Sequence, residues 1–268
     1  MGEKKFLWKK PCLFLVNLIF IKNGRNKMKV YRKDNVLEAA RKRISATFDE
    51  CERFYIAYSG GKDSTVMMHL VMDEAIKRNV KVGVMFVDLE AFYTETIKHS
   101  KKMFDLYKDH IDPHWMCVPV KLRNALTNYE PQWCAWEHEK KDHWVRDMPV
   151  WAKTEKDYPF IFGSLEFEEL VPMFGDWYSD GKKTAAFIGI RAQESLHRYC
   201  AIATWEKIGL TLNGWRWTTK VCQSVWNVYP IYDWLVDDIW RYHSLNPDKP
   251  FNPIYEKMNK AGVPLSQQ

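Results

Sequence analysis

The sequence predicts a Rossmann-like α/β protein with a mostly parallel sheet that is covered by helices on both faces. From residue 54 onward, short apolar runs typical of buried strands alternate with longer segments whose apolar residues recur at helical spacing. A Gly-Gly turn joins the first of these strands to the helix that follows it. Because strands that alternate with helices are connected by right-handed crossovers, the sheet is expected to be parallel.

Length and composition favour one large domain. The chain has 268 residues, of which 46% are hydrophobic and 28% are charged. These proportions are ordinary for a soluble globular protein and differ from those of disordered, collagen-like or coiled-coil chains.

The predicted elements follow one another at regular intervals. Strands are predicted at residues 54–58, 81–87, 115–120 and 184–190, with 224–229 as a candidate fifth strand. Helices are predicted at residues 31–43, 63–78 and 93–107.

A Trp-rich segment, about residues 129–180, interrupts this rhythm. It is also rich in Pro and charge, and it follows the third predicted strand as an insertion. Two interpretations stay open: the segment forms the substrate side of an α/β site, or it forms a separate aromatic core.

The N-terminal part of the chain carries the basic charge. Residues 1–50 hold 13 Lys and Arg against 5 Asp and Glu, whereas the remainder has a slight acidic excess. This uneven distribution weakens the case for nucleic-acid binding by the whole molecule. Direct binding of nucleic acid by this chain is therefore possible but unsupported by the charge pattern.

We predict an N-terminal extension at residues 1–27, before a main domain at residues 28–268. Its apolar run from Cys12 to Ile21 is too short to span a bilayer, and no small-residue cleavage site follows it. The extension is interpreted as dispensable or as an upstream start; a surface-binding helix and a targeting signal are the alternatives.

The cysteines suggest a cytoplasmic protein with reduced thiols. Six Cys form no close pair of the Cys-x-x-Cys type, and a chain of this length needs no disulfide to build a core. Iron–sulfur ligation usually employs such close pairs, so no iron–sulfur cluster is expected.

The sharpest motif is Ser59-Gly60-Gly61-Lys62-Asp63-Ser64-Thr65, placed between a strand and a helix. Two glycines let the backbone turn tightly and approach an anion, and the free N–H groups at a helix N-terminus favour phosphate oxygens. A Walker loop is excluded because Ile56 and Asp63 occupy its first Gly and its Ser/Thr positions, and no Gly-x-Gly-x-x-Gly is present.

The motif resembles the PP-loop of the ATP pyrophosphatase and adenine nucleotide α-hydrolase superfamily. Three further segments resemble the phosphoadenylyl-sulfate (PAPS) reductase branch: Asp88 with Glu95-Thr96, the segment Gly189-Ile190-Arg191 to Arg198, and Pro230 to Trp240. The Trp-rich middle and the Asn252-Pro253-x-Tyr255 segment look most like relatives described as prophage co-activators or immunoglobulin-binding regulators.

The resemblance implies an adenine nucleotide site for ATP or PAPS. Residues implied to bind the nucleotide are Ser59, Gly60, Gly61, Lys62, Ser64, Thr65, Asp88, Glu95, Arg191, Glu194, Ser195 and Arg198. Lys62, Asp63, Arg191 and His197 are the candidates for chemistry, and Asp63 and Asp88 are the candidate Mg²⁺ ligands. Asp63 has a competing role as a helix N-cap.

The resemblance leaves the reaction open. PAPS reductases carry a nucleophilic Cys near the C-terminus, and no Cys follows Cys222 here. We therefore expect ATP pyrophosphatase or adenylyl-transfer chemistry. The alternative is a non-catalytic nucleotide-binding regulator with a DNA-binding or ParB-like partner. His138 and His143 form no zinc-protease motif, and a metal site there is a minor alternative.

Overall fold

The computed structural model describes residues 34–124, 129–203 and 210–264. The predicted extension at residues 1–27 lies outside this part of the chain. Among the described residues, no helix combines the length and the apolar character needed to cross a membrane.

Nine strands and seven α-helices are formed by the described residues. The strands are β1 (Arg53–Ala57), β2 (Val82–Val87), β3 (Ile111–Met116), β4 (Val120–Arg123), β5 (Gln132–Ala135), β6 (Leu165–Glu166), β7 (Thr184–Ile188), β8 (Thr218–Lys220) and β9 (Val225–Val228). The helices are α1 (Val36–Glu50), α2 (Lys62–Arg78), α3 (Thr94–Leu106), α4 (Phe167–Ser179), α5 (Leu196–Ala203), α6 (Val236–Leu245) and α7 (Ile254–Lys260).

The main sheet has six strands in the order β3-β2-β1-β7-β9-β8. All neighbours pair in parallel except β8, which is antiparallel to β9. The predicted α/β class with a mostly parallel sheet is thereby confirmed.

The core lies on both faces of this sheet because successive side chains of a strand point to opposite sides. On one face, Phe54 and Ile56 of β1 belong to a cluster with buried residues of α1 and α2. On the other face, Tyr55 belongs to a cluster with Phe174 and Tyr178 of α4. The middle of β1, from Phe54 to Ile56, is therefore buried and apolar on both faces, as is usual in parallel sheets.

Two predicted elements differ from the structure. The third strand begins at Ile111 and ends at Met116, earlier than the predicted 115–120, and it contains Pro113. Pro113 is tolerated because β3 is an edge strand of the sheet. The first helix begins after Asn35, whose side chain accepts a hydrogen bond from the Glu38 amide, and it continues to Glu50.

A second, three-stranded sheet in the order β5-β4-β6 has two of its strands, β5 and β6, inside the predicted insertion. Its strand β4 precedes residue 129. In contrast, α4 lies within the predicted range but packs Leu170 and Phe174 into the core on the main sheet. The structure thus assigns α4 to the crossover that leads to β7.

Candidate functional site

The site lies at the topological switch point of the main sheet. The strands β1 and β7 are neighbours, and the chain leaves β1 towards β2 but leaves β7 towards β9 on the opposite side. Such a divergence opens a crevice at the carboxyl ends of the strands, where α/β proteins bind ligands. The loop 59–61 follows β1, and the segment from Gly189 follows β7.

The glycine loop is shaped by its contact with α3. Gly60 has φ +74°, in the left-handed region, and a Cβ there would lie 2.7 Å from Thr96 Cγ2 and 2.9 Å from Ser100 Oγ. A side chain at this position would therefore combine backbone strain with a steric clash. The loop can pack against α3 only if residue 60 is glycine.

The first turn of α2 presents backbone amides to the crevice. Gly61 is the N-cap of this 17-residue helix and supplies no side-chain cap. The first N–H groups of a helix have no intrahelical partner. The backbone amides of Lys62, Asp63 and Ser64 are therefore suited to binding an anion. Asp63 lies inside the first turn, so its competing role as N-cap is wrong.

Hydroxyl groups line the same loop. Ser59 Oγ and Ser64 Oγ are 3.0 Å apart, and Ser64 Oγ donates to the Gly61 carbonyl at 3.1 Å. Thr65 Oγ1 lies 3.0 Å from His99 Nε2 and is directed towards the protein interior. The structure thus brings Ser59 and Ser64 together at the loop, while Thr65 anchors the helix to α3.

The second signature reaches the loop through Arg191. A Cβ at Gly189 would lie 2.9 Å from Ser64 Cα, so the end of β7 touches the backbone of α2 directly. Arg191 is only 5% exposed, and its Nε donates to Asp63 Oδ1. Lys62 Nζ lies 3.5 Å from Asp63 Oδ2. Two cationic side chains and one carboxylate therefore meet at the N-terminus of α2.

A segment near the end of the described chain holds the loop from the other side. Asn252 Nδ2 donates to the Gly60 carbonyl at 2.9 Å and to Thr96 Oγ1 at 3.1 Å. The Lys62 amide donates to Tyr255 Oη at 3.1 Å. Lys257 forms an ion pair with Glu95 at the start of α3. The hydrogen bond from Lys257, together with a backbone hydrogen bond, lowers the pKa of the half-buried Glu95.

Buried histidines lie behind the loop. Burial lowers the pKa of His69 to about 3 and the pKa values of His99 and His243 to about 4. His69 is bonded through both ring nitrogens, to Tyr107 Oη and to the Pro250 carbonyl. Neutral imidazoles therefore support α2 from beneath at neutral pH.

Both carboxylate oxygens of Asp88 accept hydrogen bonds from other residues of the protein. Its side chain is fully buried; Oδ2 accepts from Trp115 Nε1 at 2.8 Å, and Oδ1 accepts from Arg146 and from the Glu90 amide at 3.0 Å. Glu90 in turn accepts from the amides of Trp136 and Val145. The loop after β2 thus fastens the insertion to the main sheet.

The remaining predicted residues lie further out. Glu194 and Arg198 form an ion pair with each other, and Arg198 donates its amide to Ser195 Oγ at 3.2 Å. Ser195 and His197 are exposed. The structure therefore brings Arg191 to the loop, whereas the hydrogen bonds that join Glu194, Ser195 and Arg198 stay within their own segment.

The two predicted Mg²⁺ ligands do not form a metal site as they are arranged. Both oxygens of Asp88 are occupied by donors, and both oxygens of Asp63 face cationic side chains. No group of three His, Cys, Asp or Glu side chains within the described ranges could hold a metal ion. Mg²⁺ binding stays a prediction.

The thiols of the described region are mostly poor nucleophiles. Burial raises the pKa values of Cys117, Cys134 and Cys222, and it raises the pKa of Cys51 to about 12. A thiol with a raised pKa holds little thiolate at neutral pH. Cys200 is exposed on α5.

Sequence reasoning missed the part that Asn252 and Tyr255 play in the site. Both belong to the Asn-Pro-x-Tyr segment, and their separation of about 190 residues from the loop conceals the contact in the sequence. An Asn-Pro pair before a short helix was the available signal, because it is typical of a structured turn.

Comparisons with known proteins point to one family. Residues 53–260 match the family described as "Phosphoadenosine phosphosulfate reductase domain". The chain is 39% identical over 234 residues to "Uncharacterized protein YbdN" of Escherichia coli (strain K12), covering 86% of this chain and 57% of that protein. It is 27% identical over 228 residues to "Sulfate adenylyltransferase subunit 2" of Caulobacter vibrioides, covering 77% of this chain and 59% of that protein. The chain thus spans less than two thirds of the length of either relative.

Solved structures with a similar chain path include an adenylyltransferase and a tRNA thiolase. The FMN adenylyltransferase of Candida glabrata aligns over 84% of this chain and 62% of its own, with a TM-score of 0.47 and 13% identity. The U34-tRNA thiolase NcsA from Methanococcus maripaludis, with its [4Fe-4S] cluster, aligns over 88% of this chain and 77% of its own, with a TM-score of 0.44 and 14% identity.

Proposed function

The chain belongs to the phosphoadenosine phosphosulfate reductase domain family, and on this premise we propose that it binds an adenine nucleotide and acts at the α-phosphate of ATP. The observation that carries the proposal is the meeting of the glycine loop, the first turn of α2 and Arg191 at the switch point of the sheet. Amides, hydroxyls and fixed cations converge there, as the terminal phosphates of a nucleotide require.

The proposed reaction is adenylyl transfer or ATP pyrophosphate cleavage. An oxygen of a carboxylate, a sulfate or a nucleic-acid carbonyl, or of water in simple pyrophosphate cleavage, attacks the α-phosphorus. The bond from that phosphorus to the bridging oxygen of the β-phosphate breaks, pyrophosphate leaves, and the adenylyl group stays on the attacking oxygen. The loop around Ser59, Gly60 and Gly61 binds the departing pyrophosphate, and Lys62 and Arg191 balance its charge. Such chemistry depends mainly on positioning and on charge stabilisation.

Asp63 prepares the site for this charge. Its carboxylate faces both Lys62 and Arg191, and it holds the two cations at the helix N-terminus. An arriving phosphate competes with Asp63 for these donors. Because Arg191 is buried, its guanidinium keeps one orientation and contributes to binding at a small entropic cost.

Thiol-dependent reduction of a sulfonucleotide is less well supported by the described residues. Cys51, Cys117, Cys134 and Cys222 have raised pKa values because of burial. An attack on sulfur needs a thiolate, so these groups are disfavoured as nucleophiles.

The test is a parallel assay of two reactions with wild-type protein and a Lys62→Ala control. With ATP and Mg²⁺ we expect pyrophosphate release that the control loses. Release of adenosine 3′,5′-bisphosphate from PAPS, dependent on a thiol reductant, would contradict the proposal and direct attention to Cys200 or Cys222. Nucleotide binding without any turnover would also contradict it and would favour a regulator that acts with a partner protein.

A further inference from the structure

The segment around α7 reaches the nucleotide loop through two polar side chains. Asn252 is almost completely buried and binds the Gly60 carbonyl, so the segment and the loop share a hydrogen bond in the interior. Three residues later, Tyr255 accepts a hydrogen bond from the Lys62 amide. That amide is the first of the helix and belongs to the set that an anion would use.

The Tyr255 hydroxyl lies beside the space that glycine leaves open. A Cβ at Gly61 would lie 3.4 Å from Tyr255 Oη and equally 3.4 Å from Ser59 Oγ. Because Gly61 has no side chain, the space beside its Cα is open and lies between the hydroxyl groups of Tyr255 and Ser59. A phosphate oxygen that approaches the loop over Gly61 comes within reach of both.

The Tyr255 ring is surrounded by charged side chains of the nucleotide site. Lys62 Nζ lies 5.2 Å from the centre of the Tyr255 ring. Burial raises the pKa of Tyr255, and the carboxylates of Asp63 and Glu194 raise it further, whereas its bond from the Lys62 amide lowers it. The phenol is therefore protonated at neutral pH. Since its oxygen accepts from Lys62, its proton is available for donation.

We propose that Tyr255 is a phosphate-contacting residue of the nucleotide site, donating its hydroxyl proton to an oxygen of the pyrophosphate moiety while accepting from the Lys62 amide. This inference rests on the proposed function, because it names a further contact of the same site. It makes α7 a part of nucleotide binding, which neither the glycine loop nor the Arg191 segment indicates.

The test compares Tyr255→Phe with Tyr242→Phe by calorimetric titration with ATP, inorganic pyrophosphate and adenosine. Tyr242 is the matched control because it is buried and its hydroxyl makes no hydrogen bond within the described part of the chain. Hydrogen bonds to charged groups are the stronger ones, so we expect Tyr255→Phe to weaken ATP and pyrophosphate binding by about tenfold. Its affinity for adenosine should not change, and Tyr242→Phe should bind all three as wild type does.

Each other outcome overturns the proposal in a recognisable way. Equal pyrophosphate affinity of Tyr255→Phe and wild type would exclude the contact, and tighter binding would identify the hydroxyl as a competitor for the Lys62 amide. An equal loss for adenosine would mean a structural role. If wild type itself bound neither ATP nor pyrophosphate, the proposed function would fail and this inference with it.

A second measurement needs no variant at the site. Wild-type protein labelled with ¹³C at the tyrosine ζ carbons should show a pyrophosphate-dependent shift of the Tyr255 resonance and no shift of the Tyr242 resonance. An unmoved Tyr255 resonance at saturating pyrophosphate would overturn the proposal.

Discussion

Gly189→Ala tests whether the close contact between β7 and α2 shapes the nucleotide site. The new Cβ would lie 2.9 Å from Ser64 Cα and 3.0 Å from the Ser64 amide nitrogen. Carbon atoms in contact prefer separations of about 3.5 Å or more, so the two backbones must part by about 0.6 Å. Overpacking of this kind costs about 1–3 kcal/mol of stability.

The same displacement moves Ser64 and the first turn of α2 away from Arg191. Weakening one hydrogen bond to a charged phosphate costs about 1.5 kcal/mol, so we expect at least a tenfold loss of ATP affinity in calorimetric titration.

Gly181→Ala is the control for the loss of stability. Gly181 has φ +72° with open space around it, so alanine there adds about 1–2 kcal/mol of backbone strain without reaching the loop. It should lower the thermal midpoint and leave the ATP affinity intact. If Gly189→Ala bound ATP as tightly as Gly181→Ala does, the contact would have no part in the site, and the reasoning would be refuted.

Three further predictions concern charge. Lys62→Ala and Arg191→Ala should each weaken ATP binding at least several-fold, because each removes a cation that faces Asp63. The control variant Lys101→Ala, which removes a cation from α3, should leave the ATP affinity unchanged. Unchanged affinity in both site variants would contradict the assignment of Lys62 and Arg191 to the nucleotide site. Asp88→Asn should lower the free energy of unfolding by about 3 kcal/mol in urea titration, because it leaves Arg146 without its buried partner; an unchanged midpoint would show that Asp88 does not fasten the insertion. Stability should also fall as the pH is lowered from about 6.5 towards 4, because burial holds the pKa of His69 near 3 and the unfolded chain binds the proton first; urea titrations at pH 7.5 and 5.5 measure this, and equal values would contradict it.

The central fold was predictable because its signals are local. The apolar run of β1, the Gly-Gly turn and the helical stripe of α2 follow one another without interruption, so their order indicated a parallel α/β sheet. The edge strand β3 was predicted too late because the apolar run of residues 115–120 extends beyond its end, whereas its first half contains Asp112, Pro113 and His114. Pro113 is acceptable there because β3 lies at the edge of the sheet.

Those parts of the site that lie within a recognisable sequence motif were predictable. The loop and Arg191 belong to segments that resemble a known family, and the structure brings them together. Whether a carboxylate is free or occupied depends on distant residues. Asp88 therefore suggested a metal ligand from its place at a strand end, although Arg146 and Trp115 occupy its oxygens.

The contact of Tyr255 with Lys62 is of the same distant kind. It joins residues 193 positions apart, and no periodicity or spacing in the sequence relates them. Only the folded chain reveals that α7 returns to the first turn of α2.

Calorimetric titration of the wild-type protein with ATP in the presence of Mg²⁺ tests the central claim most directly. We expect saturable binding at one site per chain, with competition by inorganic pyrophosphate, since the loop and Arg191 are proposed to hold the terminal phosphates. Absence of heat at ATP concentrations up to the millimolar range, from protein with an intact thermal transition, would contradict it.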